Sequence, residues 1–433
     1  MGIEAKRVMK RRNACSCSMP GVWRAVSYVE GAVVIFHSPR ACAHVARRMD
    51  INSYYRNLTT ALGECRLKTA PLLSTDLEEN EAVFGGENRL RRAIRFAAEK
   101  YQPKAVFIAN SCVSGVIGDD TEAVAAEMEE ELGIPVMAVT AHGFLDGEYF
   151  KGYIDAARLL FERFMKPQPK EPETVMLIGD CGGIYGEYVQ TLSKLLERFS
   201  LRVTAHFPSF LTLEELEKAP AASLAIVLGL RSDDSRQRML IELAEEIGRR
   251  FDIPVLGDIY PVGFQKTLEW LRRLGEVTGD TISAERAVAA EQADFAAAIA
   301  KGRETLAGTR TVFCVGRLAQ YFRPEELFFL LGELGVELLG VQLFDCYQTE
   351  EREQILARVR RFTAAPLLEG EELEKAVTAA DYVLTTHELL RPDVRQVYLP
   401  FLSSAGWKSE GDIMRAMQRV MRRQLSRGGL IYA

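Results

Sequence analysis

The chain has 433 residues, of which 48% are hydrophobic and 26% charged, with a formal net charge of −6. These values are ordinary for a globular chain, and the acidic balance argues against nucleic acid as a partner because phosphate binding favours a basic face. No run of about 18 apolar residues occurs, so we expect no membrane span and no membrane partner.

The cysteine content and the first residues indicate a reducing compartment. The basic stretch at 6–12 is followed by cysteines and not by an apolar segment, so it does not resemble a signal peptide. The chain has only eight cysteines, and in a cytoplasmic protein such residues more often bind metal or carry redox chemistry than form disulfides. The sequence therefore predicts a cytoplasmic protein.

The chain repeats one local pattern, in which a short apolar strand is followed by a turn, an amphipathic helix and another strand. Continuously apolar, β-branched strands indicate parallel sheets that are buried on both faces, and their alternation with helices predicts doubly wound α/β domains. The predicted strands are 32–36, 105–109, 134–138, 174–178, 202–205, 224–228, 254–256, 311–315 and 336–340. The predicted helices include 121–132, 236–251, 287–300, 324–334 and 410–423.

Composition places two boundaries along this pattern. The polar, proline-rich segment 166–173 is typical of an extended linker, and a weaker boundary lies near 301–310. We therefore predict three α/β domains, which span 1–166, 174–305 and 306–433.

Three cysteines, Cys17, Cys42 and Cys112, stand where a strand or loop gives way to a helix, in the strings CSMPG, FHSPRACAH and ANSCVSGVIGDD. None belongs to a CxxC pair, so neither a zinc knuckle nor a dithiol redox motif is indicated. Because ligands of open α/β sheets bind beyond the carboxyl ends of strands, these thiols could converge on one iron–sulfur cluster. Such a cluster usually has four or more ligands, so we expect it to be shared with another subunit.

Two more cysteines are weaker candidates for the same cluster. Cys15 lies two residues before Cys17, and such a pair points in different directions, so normally only one of them binds. Cys65, in the string GECR, could be an accessory ligand or a free thiol.

Taken together, these strings resemble the nitrogenase component 1 superfamily. The spacing of the three main cysteines is similar to that of the cysteines that each component 1 subunit gives to its interface cluster. FHSPRACAH resembles the family's HG-x-x-GC turn, and SCVSGVIGDD and TDLEENEAVFGGENRL resemble other family segments. LIGDCGGIYGE and FDIPVLGDIYPVGFQKT resemble its second-domain turns, and the resemblance thins after about residue 320.

The resemblance implies an α/β fold of three Rossmann-like domains, each a mostly parallel sheet flanked by helices. It implies a homologous component 1 subunit in a dimer or α2β2 tetramer, with a 4Fe-4S or larger P-cluster-like iron–sulfur cluster at the interface. It also implies a separate ATP-hydrolysing iron–sulfur reductase as electron donor, which fits the lack of a GxxxxGK[ST] string here. The chain would then be a subunit of a nitrogenase-like, ATP-dependent reductase that passes low-potential electrons to a substrate or cofactor site.

A substrate or cofactor pocket is expected between domains, by the strand-end rule and by analogy with the family. We place it near Gly182 and Gly183 of the turn GDCGGIYGEY, with Arg231 and His37 as polar contacts. A tight strand-to-helix turn explains the same glycines, and His37 could instead hydrogen-bond a cluster sulfide.

The chain also departs from the family's catalytic α subunit. Gly229 stands where a cysteine would anchor the molybdenum–iron cofactor, and no histidine occurs at 397–402, where its second ligand would fall. The chain is therefore closer to a β-type subunit or to a scaffold for assembly of a nitrogenase-type cofactor, and the scaffold is the alternative function. A β-type nitrogenase subunit and a redox-inert sugar- or nucleotide-binding protein also stay open, as do hetero- and homo-oligomers.

Overall fold

A computed structural model describes residues 17–48, 69–145, 148–230, 235–316, 324–344, 349–387, 389, 391, 393–399 and 404–422. The described residues form two compact units, one within 13–259 and the other within 260–433. Among them, no helix combines the length and the apolar character that crossing a bilayer requires.

The first unit contains a four-stranded parallel sheet whose two central strands are buried on both faces, as the sequence predicts. In spatial order its strands are Leu72–Ser74, Ala32–His37, Ala105–Asn110 and Val136–His142. The helices along this stretch are Met19–Val26, Arg40–Arg48, Glu81–Phe84, Glu87–Tyr101, Cys112–Ile117, Thr121–Leu132 and Tyr149–Phe164.

A second four-stranded parallel sheet lies in the same unit. In spatial order its strands are Val255–Leu256, Ala222–Val227, Glu171–Ile178 and Arg202–Phe207, and a short parallel pair joins Val29–Glu30 to Leu211–Thr212. The helices are Glu187–Glu197, Leu213–Lys218, the 3-10 turn Ala219–Ala221 and Ser235–Phe251. The strand Glu171–Ile178, which comes first in the chain, begins inside the predicted linker, because Glu171 already pairs with Ala222.

The second unit holds a third four-stranded parallel sheet. In spatial order its strands are Glu337–Leu343, Arg310–Val315, Tyr382–Thr385 and Gln396–Tyr398. The helices are Phe264–Thr278, Thr281–Leu306, Pro324–Leu334, Thr349–Arg360, Gly370–Ala379 and Lys408–Arg422. Phe295 belongs to the same hydrophobic core as Phe313 of this sheet, and its ring stacks on Phe264 at 3.8 Å. The domain boundaries at 166–174 and 305–306 stay a prediction.

All three sheets share one strand order, in which the first strand in the chain lies between the second and the third. In this arrangement the chain leaves the first and third strands in opposite directions, which opens a crevice at their carboxyl ends. In the first sheet these two strands are Ala32–His37 and Ala105–Asn110, and His37 is paired in register with Asn110. The segments with Cys42 and Cys112 therefore leave the sheet side by side.

Candidate metal centre

Cys42 and Cys112 lie on short helices that begin just beyond this sheet edge. Cys42 belongs to the helix Arg40–Arg48, and Cys112 opens the helix Cys112–Ile117. The Ser111 hydroxyl starts that helix by accepting a hydrogen bond from the Ser114 N–H, at 3.1 Å. Both thiols are half-buried, and neither belongs to a disulfide. Burial raises the pKa of Cys42, and the nearby Cys112 raises it further, so a bound cation would be needed to hold Cys42 as a thiolate.

Cys17 is held at the same edge by the backbone that follows it. The Ser18 N–H donates a hydrogen bond to the Gly143 carbonyl, at 3.1 Å. Gly143 has a φ of +54°, and a Cβ there would lie 2.7 Å from the Cys112 nitrogen. Gly143 therefore lets the segments with Cys17 and Cys112 approach one another, which a side chain at this position would prevent.

The helix that follows Cys17 is anchored by a second close approach. A Cβ at Gly21 would lie 1.8 Å from the Tyr149 carbonyl oxygen, and one at Gly152 would lie 2.1 Å from the Ser18 carbonyl oxygen. The helices Met19–Val26 and Tyr149–Phe164 thus pack backbone to backbone. This contact fixes the point at which the segment with Cys17 enters the fold.

The donor set of this sheet edge fits an iron–sulfur cluster in its chemistry. Three cysteines in segments rich in glycine, serine and proline would supply, as thiolates, the soft ligands that such clusters use. Within the described residues, no three His, Cys, Asp or Glu side chains come close enough together to hold one metal ion. A cluster spreads its ligands over several irons, so its thiolates need not meet at a single point. Cys15 and Cys65 lie outside the described residues.

His37 is completely buried and bonded at both ring nitrogens. Its Nδ1 lies 3.1 Å from the Thr75 hydroxyl oxygen, and its Nε2 lies 2.8 Å from Asp119 Oδ2. Burial lowers the pKa of His37, while the Asp119 and Glu87 carboxylates oppose that shift. The imidazole contacts side chains of its own chain, and its contact with a ligand stays a prediction.

The glycine turn of the second sheet is a tight strand-to-helix turn that packs against aromatic residues. Gly182 and Gly183 have φ values of +99° and +69°, and a Cβ at Gly183 would lie 2.4 Å from the Phe210 ring. Cys181 in this turn keeps its proton, because burial and then Asp180 raise the pKa of its thiol. Arg231 lies outside the described residues, so the predicted pocket stays a prediction.

A buried polar cluster beside this turn was not predicted from the sequence. Arg24 Nε donates to Asp180 Oδ2 at 2.5 Å, and the Arg24 side chain is 2% exposed. The guanidinium also lies 5.8 Å from the centre of the Tyr28 ring and 5.5 Å from that of Phe210. In the sequence, the one sign of this cluster is an arginine inside the apolar string GVWRAV. An arginine in such a string suggests a buried charge, but the string does not show which residue pairs with it.

His206 in the same region leads to a prediction about acid stability. The side chain is 3% exposed, and burial lowers its pKa from 6.5 to about 4. Between pH 6.5 and 4 the histidine binds a proton in the unfolded chain but stays neutral in the folded one. The free energy of unfolding is therefore highest above pH 6.5 and decreases as the pH falls toward 4. Replacing His206 with glutamine should remove on the order of 3 kcal/mol of pH dependence from the free energy of unfolding.

Denaturant unfolding of the parent and His206→Gln chains, at neutral pH and near pH 4, measures this difference. The exposed His44 provides the control for the substitution itself, since His44→Gln should leave the free energy of unfolding at neutral pH close to that of the parent. Equal pH dependence in the parent and His206→Gln chains would contradict the assignment.

Exposed apolar side chains occur on the two helices with Cys42 and Cys112 and on segments next to the second of them, and we call this group the apolar rim. Its members are Val45, Val83, Phe84, Val116, Phe144 and Leu145, and each is between 55% and 86% exposed. The helix Glu81–Phe84 contacts the helix Cys112–Ile117, and a Cβ at Gly115 would lie 2.8 Å from Leu145. Apolar side chains grouped in this way are typical of a protein–protein interface. In the sequence, the string AVFGG is the one sign of this surface, because glycines end the helix Glu81–Phe84 after four residues. A helix of this length is too short to bury its own apolar side chains.

Comparison with known proteins adds independent observations. The family profile described as nitrogenase component 1 type oxidoreductase matches residues 17–396. The nitrogenase iron-molybdenum cofactor biosynthesis protein NifE of Nostoc sp. is 27% identical over 364 residues, which cover 83% of this chain and 69% of that protein. The Klebsiella pneumoniae protein of the same name is 27% identical over 389 residues, covering 83% of this chain and 79% of its own length.

Two further similarities concern nitrogenase itself. The nitrogenase molybdenum-iron protein alpha chain of Methanosarcina barkeri is 26% identical over 310 residues, which are 70% of this chain but only 55% of that relative. The solved structure titled nitrogenase Cp1 at pH 5 superimposes with a TM-score of 0.60 at 19% identity, covering 98% of this chain and 91% of that one. At this identity the superposition shows a shared fold.

Proposed function

Because the chain belongs to the nitrogenase component 1 type oxidoreductase family, we propose that it is a subunit of a nitrogenase-like complex with an iron–sulfur cluster at a subunit interface. Cys17, Cys42 and Cys112 would bind the cluster from this side, and a homologous subunit in a dimer or tetramer would supply the remaining ligands. The observation that carries the proposal is that the segments with Cys17, Cys42 and Cys112 come together at one sheet edge, next to the apolar rim.

The chain's own residues would bind and shield the cluster. When bound, the cluster would supply a low-potential site for single electrons. Cys17, Cys42 and Cys112 would contribute thiolates, and the apolar rim would exclude water once the partner covers it. We propose that electrons come from a separate ATP-hydrolysing iron–sulfur reductase, since the sequence has no GxxxxGK[ST] string of its own. The reducing cytoplasm is the setting in which such thiols stay available.

The destination of the electrons distinguishes two versions of this proposal. In the first, the complex is an ATP-dependent reductase that passes electrons to a substrate. In the second, it is a scaffold on which a nitrogenase-type cofactor is assembled, which is favoured by the similarity to proteins named for iron-molybdenum cofactor biosynthesis. A scaffold should transfer its bound cluster to an apo-nitrogenase, whereas a reductase should keep its iron and consume electrons continuously.

Purification without oxygen, together with whatever subunit co-purifies, tests the shared part of the proposal. We expect iron and acid-labile sulfide in the complex and a homologous chain bound to it. A complex free of iron and sulfide would overturn the proposal and favour a redox-inert α/β protein.

The apolar rim gives a separate prediction about assembly. Phe84 is 86% exposed, and placing a carboxylate there should weaken the subunit interface because the charge would have to be desolvated. We expect Phe84→Asp to raise the dissociation constant by about 30-fold or more, the loss typical of an aromatic residue that contributes strongly to an interface. Analytical ultracentrifugation of the purified complex measures this change.

The matched control is Ile282→Asp, which places the same charge at an apolar residue that is 74% exposed. This variant should assemble like the parent. If Phe84→Asp also assembles like the parent, the apolar rim is not the subunit interface.

A further inference from the structure

A buried contact between His37 and Asp119 joins the two segments with the strand-end cysteines. His37 ends the strand Ala32–His37, just before the turn that leads to Cys42, and Asp119 follows the helix Cys112–Ile117. The two side chains are 0% and 2% exposed, and they meet at 2.8 Å. At such burial, movement of one segment against the other would break a hydrogen bond that water cannot replace.

The same carboxylate also holds the turn beside the apolar rim. Asp119 Oδ1 accepts a hydrogen bond from the Gly86 N–H at 2.7 Å, and Gly86 follows the helix Glu81–Phe84. A Cβ at Gly86 would lie 2.7 Å from Asp119 Oδ2 and 2.9 Å from the His37 ring. This position thus admits only glycine while the contact between Asp119 and His37 is kept.

Thr75 completes the network on the other side of the imidazole. A carboxylate only accepts hydrogen bonds, so His37 Nε2 carries the proton toward Asp119, and Nδ1 accepts from the Thr75 hydroxyl at 3.1 Å. The Thr75 oxygen in turn accepts from the Ser38 N–H at 3.1 Å, in the turn that leads to Cys42. The network therefore runs without interruption from the turn before Cys42 to the loop after Cys112.

We propose that His37, Asp119 and Thr75 are positioning residues that hold the segments of Cys42 and Cys112 at the separation an iron–sulfur cluster requires. This inference rests on the proposed function, because it concerns how the same cluster is held. Groups that orient metal ligands without touching the metal commonly change metal affinity by about 10- to 100-fold when they are removed. The network acts through geometry, so a substitution that keeps its hydrogen bonds should preserve cluster binding.

Three variants of the full chain, purified without oxygen with the co-purifying subunit, test this proposal. Asp119→Ala removes both contacts of the carboxylate, and Thr75→Val removes only one hydroxyl group. Asp119→Asn loses the charge, but its oxygen can still accept from Gly86, and its amide can donate to the other tautomer of His37. The matched control is Asp120→Asn, the same substitution at the neighbouring exposed residue, whose oxygen accepts from the Ala123 N–H.

The readouts are the chelator concentration that removes half of the iron and the electron paramagnetic resonance spectrum of the reduced complex. Asp119→Ala and Thr75→Val should lose iron at about 10-fold or more lower chelator concentration and show altered spectra. Asp119→Asn and Asp120→Asn should behave like the parent.

Other outcomes separate this inference from the proposed function. A parent complex without iron would refute the proposed function, and with it the cluster that the network is meant to serve. A parent with iron, together with a folded Asp119→Ala or Thr75→Val chain of unchanged iron retention and spectrum, would overturn the positioning role alone. Iron loss in Asp119→Asn equal to that in Asp119→Ala would also overturn it, because charge and not geometry would then be responsible. If circular dichroism shows that Asp119→Ala does not fold, the iron retention and the spectrum of Thr75→Val decide whether the positioning role holds.

Discussion

Replacing Cys17, Cys42 or Cys112 with alanine is expected to abolish cluster retention in the complex purified without oxygen. Each substitution removes one of the three cysteines that we propose as ligands at the edge of the first sheet, and a methyl group cannot bind iron. Iron and sulfide per complex should fall to near background, and the absorption of the cluster in the visible range should disappear. Metal analysis with visible spectroscopy measures both quantities.

Cys314 provides the matched control for these substitutions. It is fully buried in the strand Arg310–Val315, and burial raises its pKa to about 12, so it remains a protonated thiol with the role of a small apolar residue. Cys314→Ala should therefore retain the parent's iron. Equal iron in Cys42→Ala and in the parent would refute the ligand assignment.

The second large effect is expected at the buried ion pair of Arg24 and Asp180. Arg24 is 2% exposed, so Asp180→Ala takes the carboxylate of this ion pair away from a buried guanidinium. Breaking such a pair typically costs about 3–5 kcal/mol in the free energy of unfolding. Denaturant unfolding, followed by circular dichroism and by tryptophan fluorescence, measures this loss.

An exposed ion pair of the same type serves as the comparison. Arg40 Nη2 lies 2.5 Å from Asp76 Oδ2, the same separation as in the buried pair, but the Arg40 side chain is 81% exposed. Arg40→Ala should cost less than about 1 kcal/mol, because water screens the pair and solvates whichever charge remains. Similar losses in Asp180→Ala and Arg40→Ala would show that burial does not control the strength of the first pair.

Most strands of the three sheets were predicted correctly, because a buried parallel strand is recognised from a short run of consecutive apolar residues. The first five residues of the strand Ala105–Asn110 form an unbroken apolar run, and these are the residues that were predicted. The helix Thr121–Leu132 has the predicted bounds, with a side-chain cap at Asp120 and a left-handed glycine at its end. The strand that was predicted at 174–178 begins three residues earlier, since Glu171 already pairs with Ala222. The three prolines of 166–173 indicated an extended linker, because proline cannot donate a hydrogen bond in a strand ladder. No strand or helix was assigned at 341–409, where the structure has the strands Tyr382–Thr385 and Gln396–Tyr398.

Asp119 and Asp120 show the limit of local inference at the candidate site. Adjacent carboxylates before a helix suggest that both serve its first turn, but only Asp120 does so, through Ala123. Asp119 points to His37 instead, a residue far away in the sequence. The choice depends on which strands are neighbours, and this is fixed by packing.

By itself, the sequence determined the α/β class, the family resemblance and the identity of the thiols, because these follow from local patterns and residue chemistry. Only the tertiary structure decided that the segments with Cys42 and Cys112 leave adjacent strands, since this depends on the strand order of the first sheet. It also decided that His37 turns inward to Asp119 while Phe84 stays exposed beside the cysteines. Burial and pairing across long separations depend on how the whole chain packs, and no local string contains that information.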